Sequence, residues 1–151
     1  MPLSEGEVIA GYTISRMLGS GGMGEVFKGH NIQTDDPVAI KIVLPEFARD
    51  PVILALFRKE ASILNHLSHE AIVRYHVFAI DQALGRPYLA MEFVDGVSLA
   101  DMMTRGPMPA DDARTMLHRV ASGLAAAHEA GVIHRDLSPD NIILPGGKDG
   151  R

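Results

Sequence analysis

The chain has 151 residues, 46% hydrophobic and 22% charged, which allows a packed core and does not fit a disordered chain. A net charge of −5 with no Lys/Arg block argues against nucleic-acid and peripheral membrane partners, and the absence of cysteine excludes disulfides and zinc–cysteine sites. No run approaches the roughly 18 apolar residues of a membrane span, and the N-terminus lacks a signal-peptide pattern, so the expectation is a soluble cytoplasmic protein with no membrane segment in this chain.

The first third reads as strands. Residues 12–18 half-alternate and run into glycines, residues 25–29 follow, and residues 37–44 form a Val/Ile-rich run between Asp35-Asp36-Pro37 and Pro45. The period then changes to helical over residues 50–67, with Ile53, Phe57, Leu64 and Leu67 on one stripe. Residues 72–80 and 87–94 read as two more strands. Ser98 can cap a short helix to about Arg105. Asp111-Asp112 open a long helix to about Ala130, with Ala113, Leu117, Val120, Leu124 and Ala127 on one face and Gly131 as its stop. Residues 141–144 read as a last strand. A strand-rich unit with one helix thus precedes a helical unit, the joint lies near residues 92–97, and the fold class is α+β.

Two charges sit where apolar residues are expected. Lys41 interrupts Val38-Ala39-Ile40-Lys41-Ile42-Val43-Leu44, a strand uniform enough to be covered on both faces. Glu60 falls on the apolar stripe of the helix at the 53, 57, 60, 64, 67 spacing. A buried ammonium without a partner costs several kcal/mol, so the two charges can answer each other as an interior ion pair. The alternative is that Lys41 reaches water along its own stem while Glu60 lies at the edge of the stripe.

Leu18-Gly19-Ser20-Gly21-Gly22-Met23-Gly24-Glu25-Val26 contains G-x-G-x-x-G. It leads into a second strand-like segment rather than a helix, which disfavours a dinucleotide-binding fold and points to a glycine hairpin whose backbone N–H groups approach phosphates closely. No G-x-x-x-x-G-K-[ST] is present, so a P-loop is excluded.

With His134-Arg135-Asp136-Leu137-Ser138-Pro139-Asp140-Asn141 downstream, the glycine hairpin and Val38-Ala39-Ile40-Lys41 in this order resemble the protein kinases, of the eukaryotic-like serine/threonine type found in bacteria. The resemblance runs from about Tyr12 to the end. It implies a kinase-like fold: an N-terminal extension over 1–11, an N-terminal lobe over 12–94 with a five-stranded antiparallel sheet and one helix, and a partial helical lobe over 95–151.

It also implies ATP and Mg²⁺ as cofactors and a Ser or Thr hydroxyl of a protein as acceptor. Leu18, Gly19, Ser20, Gly21, Gly22, Met23, Gly24, Val26, Ala39, Lys41, Met91, Glu92, Val94 and Ile143 would form the nucleotide site. Gly19, Gly21 and Gly24 would cover the phosphates; Leu18, Val26 and Ala39 would sandwich the adenine. Lys41, fixed by Glu60, would hold the α- and β-phosphates. Met91 would be the gatekeeper, with backbone groups near Glu92 and Val94 on the adenine edge. Asp136 would orient the substrate hydroxyl or accept its proton, and Asn141 would ligate magnesium.

Two features depart from the family pattern. Ser138 stands where serine/threonine kinases usually carry Lys, and its loss either lowers the rate or is made good by another cation. The chain also stops at Arg151 with no D-F-G and no A-P-E, and the strand at 141–144 is left without its returning partner. Apolar residues of the long helix left wet would cost about 1.5–3 kcal/mol each, so the isolated chain is expected to be inactive and poorly soluble. The alternative reading is a pseudokinase-like module that binds nucleotide or a partner without catalysis. His66 and His69 form H-x-x-H with no third ligand in a recognisable motif, and are read as polar residues rather than a metal site. Met102, Met103, Met108 and Met116 are read as core filler.

Overall fold

The computed structural model describes residues 3–22, 24–131, 139 and 142–145, together with the backbone but not the side chains of Glu60 and Leu64. The expectations placed on Met23, Asp136, Ser138 and Asn141, and on the side chain of Glu60, lie outside the described residues. The chain divides into two compact units: Met1–His66 with Arg74–Phe93, and Leu67–Val73 with Val94–Arg151.

The first unit is built on an antiparallel sheet of six strands: β1 (Val8–Ile9), β2 (Tyr12–Ser20), β3 (Gly24–Asn31), β4 (Pro37–Val43), β5 (Tyr75–Asp81) and β6 (Arg86–Glu92). Their spatial order is β1-β2-β3-β4-β6-β5. Five strands were expected. The sixth, β1, is two residues long and folds back on β2 through Ala10 and Gly11, both at positive φ. It contributes Ile9, which is fully buried.

Side-chain alternation divides the unit into two apolar clusters. Ile9, Ile14, Phe27, Ile40, Ile42, Tyr88 and Ala90 pack together through one set of alternating positions. The other set, with Val43 and Leu89, meets Phe57 and Ala61 of helix α1 (Pro51–His66). The uniform apolar run in β4 therefore follows from burial on both faces, since every residue from Val38 to Val43 except Lys41 is buried. Asp50 opens α1, its carboxylate accepting the N–H groups of Val52 and Ile53 at 2.9 and 3.3 Å.

The second unit holds β7 (Gly96–Ser98), α2 (Leu99–Met103), α3 (Ala110–Glu129) and β8 (Ile143–Pro145). Ser98 caps α2 as its sequence predicts, accepting the Asp101 N–H at 3.1 Å. Strand β8 pairs antiparallel with the upstream β7, Val97 opposite Leu144. Sequence reasoning missed this pairing because Gly96 and Val97 read only as the lead-in to a capped helix.

Helix α3 keeps most of the expected face, with Ala127 buried and Ala113, Val120 and Leu124 half-buried, but Leu117 is 61% exposed and Gly123, which was not expected, is buried. Gly123 is a point of close approach. A Cβ there would lie 3.3 Å from Ala71 Cβ. Met103 is likewise 60% exposed rather than core filler, since α2 is too short to bury a second face.

Candidate functional site

The strands bring most of the first-unit candidates onto one face by register alone. Val26 pairs with Lys41, which pairs with Leu89; one step along, Lys28 pairs with Ala39, which pairs with Met91. Because alternate residues share a face, Val26, Lys41, Ala39 and Met91 project from the same side of the sheet. This is the side on which α1 packs. The Lys41 ammonium lies 5.9 Å from the centre of the Phe57 ring, so the lysine turns toward the helix that carries Glu60. Phe57 and Glu60 are three residues apart, neighbours on a helix surface.

The glycine segment forms a hairpin between β2 and β3, closed by the Gly21 N–H donating to the Gly24 carbonyl at 2.9 Å. Its glycines fall into two kinds. At Gly19, Gly21 and Gly22 no atom lies within 4 Å of where a Cβ would stand, whereas at Gly24 that position is 2.7 Å from the Ile42 carbonyl oxygen. The first three leave backbone open on the hairpin; Gly24 is required by the sheet. Leu18 and Ser20 are exposed on the same arm.

At the far end of β6 the backbone N–H of Glu92 donates to the Arg74 carbonyl at 2.7 Å, and the Glu92 carboxylate accepts the Arg74 N–H at 3.0 Å. Lys28 lies over the Phe93 ring, 4.5 Å from its centre. In the second unit Val94 is half-buried and Ile143 lies in β8 opposite Ser98. Asp136 and Asn141 lie outside the described residues, and among the described residues no group of three His, Asp or Glu is placed to hold a metal ion. Both ring nitrogens of His69 are engaged: the Ala71 N–H donates to Nδ1 at 2.9 Å, which leaves Nε2–H to donate to Ser122 Oγ at 3.0 Å.

Sequence reasoning missed a buried charge pair beside the hairpin. Glu25 follows Gly24 in β3, and Arg86 opens β6. Their side chains are 11% and 5% exposed, and the Arg86 Nη2–Glu25 Oε1 distance is 3.6 Å. The Arg86 Nε–H donates to the Val43 carbonyl at 2.7 Å. The available signal was alternation: Glu25 shares the inward face of β3 with Phe27 and Gly29.

The chain matches the protein kinase domain family over residues 12–149. It is 41% identical over 133 residues to the serine/threonine-protein kinase pkn2 of Myxococcus xanthus, covering 88% of this chain and 16% of that one. It is also 41% identical over 142 residues to the serine/threonine-protein kinase PknJ of Mycobacterium tuberculosis, covering 94% of this chain and 24% of the relative. Among solved structures it resembles the PknI kinase domain of Mycobacterium tuberculosis, with a TM-score of 0.79, 31% identity, and coverage of 97% of this chain and 60% of that one. The chain thus spans about a quarter or less of these two curated relatives. No helix among the described residues is long and apolar enough to cross a membrane.

Proposed function

The chain belongs to the protein kinase family, and on that premise we propose that it is the ATP-binding and catalytic-loop portion of a protein serine/threonine kinase. Protein kinases use ATP with Mg²⁺ and act on proteins. The observation that carries the reading is the shared face of β3, β4 and β6, where Val26, Lys41, Ala39 and Met91 stand together beside an uncrowded glycine hairpin.

Phosphoryl transfer asks a protein chiefly to position reactants and neutralise phosphate charge. The backbone of Gly19, Gly21 and Gly22 would lie over the phosphates, the Gly21 N–H itself being taken by the Gly24 carbonyl, and Lys41 supplies the cation for the α- and β-phosphates, with Glu60 as its partner. Leu18, Val26 and Ala39 sandwich the adenine, Met91 sets the depth of its pocket, and backbone groups at Glu92 and Val94 bond its edge. Ile143 belongs to the nucleotide set. Asp136 would orient the acceptor hydroxyl or take its proton, the oxygen bonding to the γ-phosphorus as the bond to the β–γ bridging oxygen breaks and ADP leaves. Asn141 holds Mg²⁺, which neutralises phosphate charge. Use of ATP fits a cytoplasmic location. Ser138 favours a second reading, a module that binds nucleotide without transfer, because it removes a cation from the γ-phosphate.

Melting the chain with and without Mg·ATP tests nucleotide binding. The reading expects stabilisation that Lys41→Met abolishes; no shift in the unaltered chain overturns it. Phosphate transfer from labelled ATP to a generic protein acceptor, lost in Asp136→Asn, separates kinase from binding module.

A further inference from the structure

The Arg86–Glu25 pair lies at the base of the glycine hairpin and is unexplained by the roles above. The β4–β6 ladder ends at Ile42 opposite Tyr88. Continuing the register would set Pro87 against Val43, but proline has no N–H to give. The Val43 carbonyl receives the Arg86 Nε–H instead. Val43 is also the cross-strand partner of Gly24, the last glycine of the hairpin, and the neighbouring Glu25 carboxylate lies beside the same guanidinium. One buried side chain therefore meets the returning arm of the hairpin at two adjacent points: a hydrogen bond to the strand partner of Gly24, and a charge pair with the Glu25 carboxylate at 3.6 Å in which Nη2 makes no hydrogen bond. Beyond it, the tip is held by backbone alone, through the pairing of Gly19 with Val26 and the Gly21 N–H bond to the Gly24 carbonyl, with open space at the Cβ positions of Gly19, Gly21 and Gly22.

We propose that Arg86 is a positioning residue for nucleotide binding: by holding Val43 and Glu25 it fixes the base of the glycine hairpin, so that the uncrowded tip meets the phosphates in one place. This rests on the ATP-binding reading. The physical effect is pre-organisation. A ligand that needs one placement of the hairpin binds more weakly in proportion to the time the hairpin spends elsewhere.

Removing one partner leaves a buried charge alone, and such a variant can simply fail to fold. The test therefore uses the double variant Glu25→Met/Arg86→Met, which replaces the pair with apolar side chains, alongside Arg86→Lys, which keeps the charge and loses the planar fork. Three quantities are read in the whole chain: melting temperature, the Mg·ATP dissociation constant by calorimetry, and amide exchange at Gly19, Gly21 and Gly22 without nucleotide. The double variant, which also leaves the buried Val43 carbonyl without its donor, should stay folded with a lowered melting temperature and bind Mg·ATP about tenfold more weakly, as for a hairpin correctly placed about a tenth of the time. Its hairpin amides should exchange faster while those of Phe78 and Leu89 do not change, and Arg86→Lys should fall between. Unaltered affinity and hairpin exchange in a folded double variant overturn the proposal. If the unaltered chain itself binds no Mg·ATP, the ATP reading fails, and hairpin exchange alone decides whether Arg86 holds the hairpin.

Discussion

A Cβ on Gly24 would stand 2.7 Å from the carbonyl oxygen of Ile42. That oxygen belongs to a buried strand and cannot retreat, so Gly24→Ala should destabilise the first unit by about 1–3 kcal/mol, the range for overpacking a filled site. Gly21→Ala has open space around it and should change stability by less than about 0.5 kcal/mol. On the proposed function, its methyl group would obstruct the phosphates and weaken Mg·ATP binding. Urea unfolding of both variants, followed by nucleotide titration of Gly21→Ala, checks this separation of roles. Equal loss of stability in the two would show that the glycines share one structural task.

Tyr88 gives the fold a pH dependence. Its phenol pKa is raised above the usual 10.0 by burial first, and then by the neighbouring Tyr12 and the Asp81 carboxylate. A group whose pKa is higher in the folded state favours the protonated fold. Its contribution is complete below pH about 10 and disappears as pH rises through the raised value. Stability measured by denaturant midpoints should therefore fall on the alkaline side, and Tyr88→Phe, which keeps the ring in the core, should fall less steeply there. Parallel profiles for the two proteins would remove Tyr88 as the cause.

Much of the first unit was legible because its signals are periodic. The Val/Ile run of β4 and the stripe of α1 reflect burial directly, and the motif order placed Lys41, Ala39, Val26 and Met91 before any register was known. What escaped lacks a periodic signal. Strand β1 is two residues long, and β8 pairs with a strand of three. On α3 the expected face held except at Leu117, and Gly123 was missed because a side chain that is not there leaves no mark in an apolar pattern. Arg86 was missed because its partners are a backbone carbonyl 43 positions away and a carboxylate in another strand.

His69 fastens residues 67–73 to α3 through Nε2–H, which donates to Ser122 Oγ, while its Nδ1 accepts the Ala71 N–H within the segment. Ser122→Ala removes one of these bonds at an exposed site and should cost about 0.5–1 kcal/mol. His69→Leu removes both and leaves the Ala71 N–H to water, so its cost should be the larger. Amide exchange at Ala71 should accelerate in His69→Leu and change little in Ser122→Ala. The reverse order would assign the contact to apolar packing rather than to the imidazole.

The buried Gly123 and the exposed Leu117 set two substitutions on α3 against each other. Gly123 meets Ala71 Cβ at 3.3 Å and Ile72 Cγ1 at 3.6 Å from its Cβ position, so Gly123→Val would force the segment 67–73 away from the helix. The loss is expected at about 1–3 kcal/mol, despite valine being more hydrophobic than glycine. Leu117 lies six residues earlier and is 61% exposed, so Leu117→Gln removes little buried surface and should change unfolding free energy by less than about 0.5 kcal/mol. Had Leu117 been the packed position, the order would invert, with the glutamine variant costing about 2–5 kcal/mol, as for truncating a buried leucine. Denaturant unfolding of the two variants, read by far-ultraviolet dichroism, decides which of the two positions is packed.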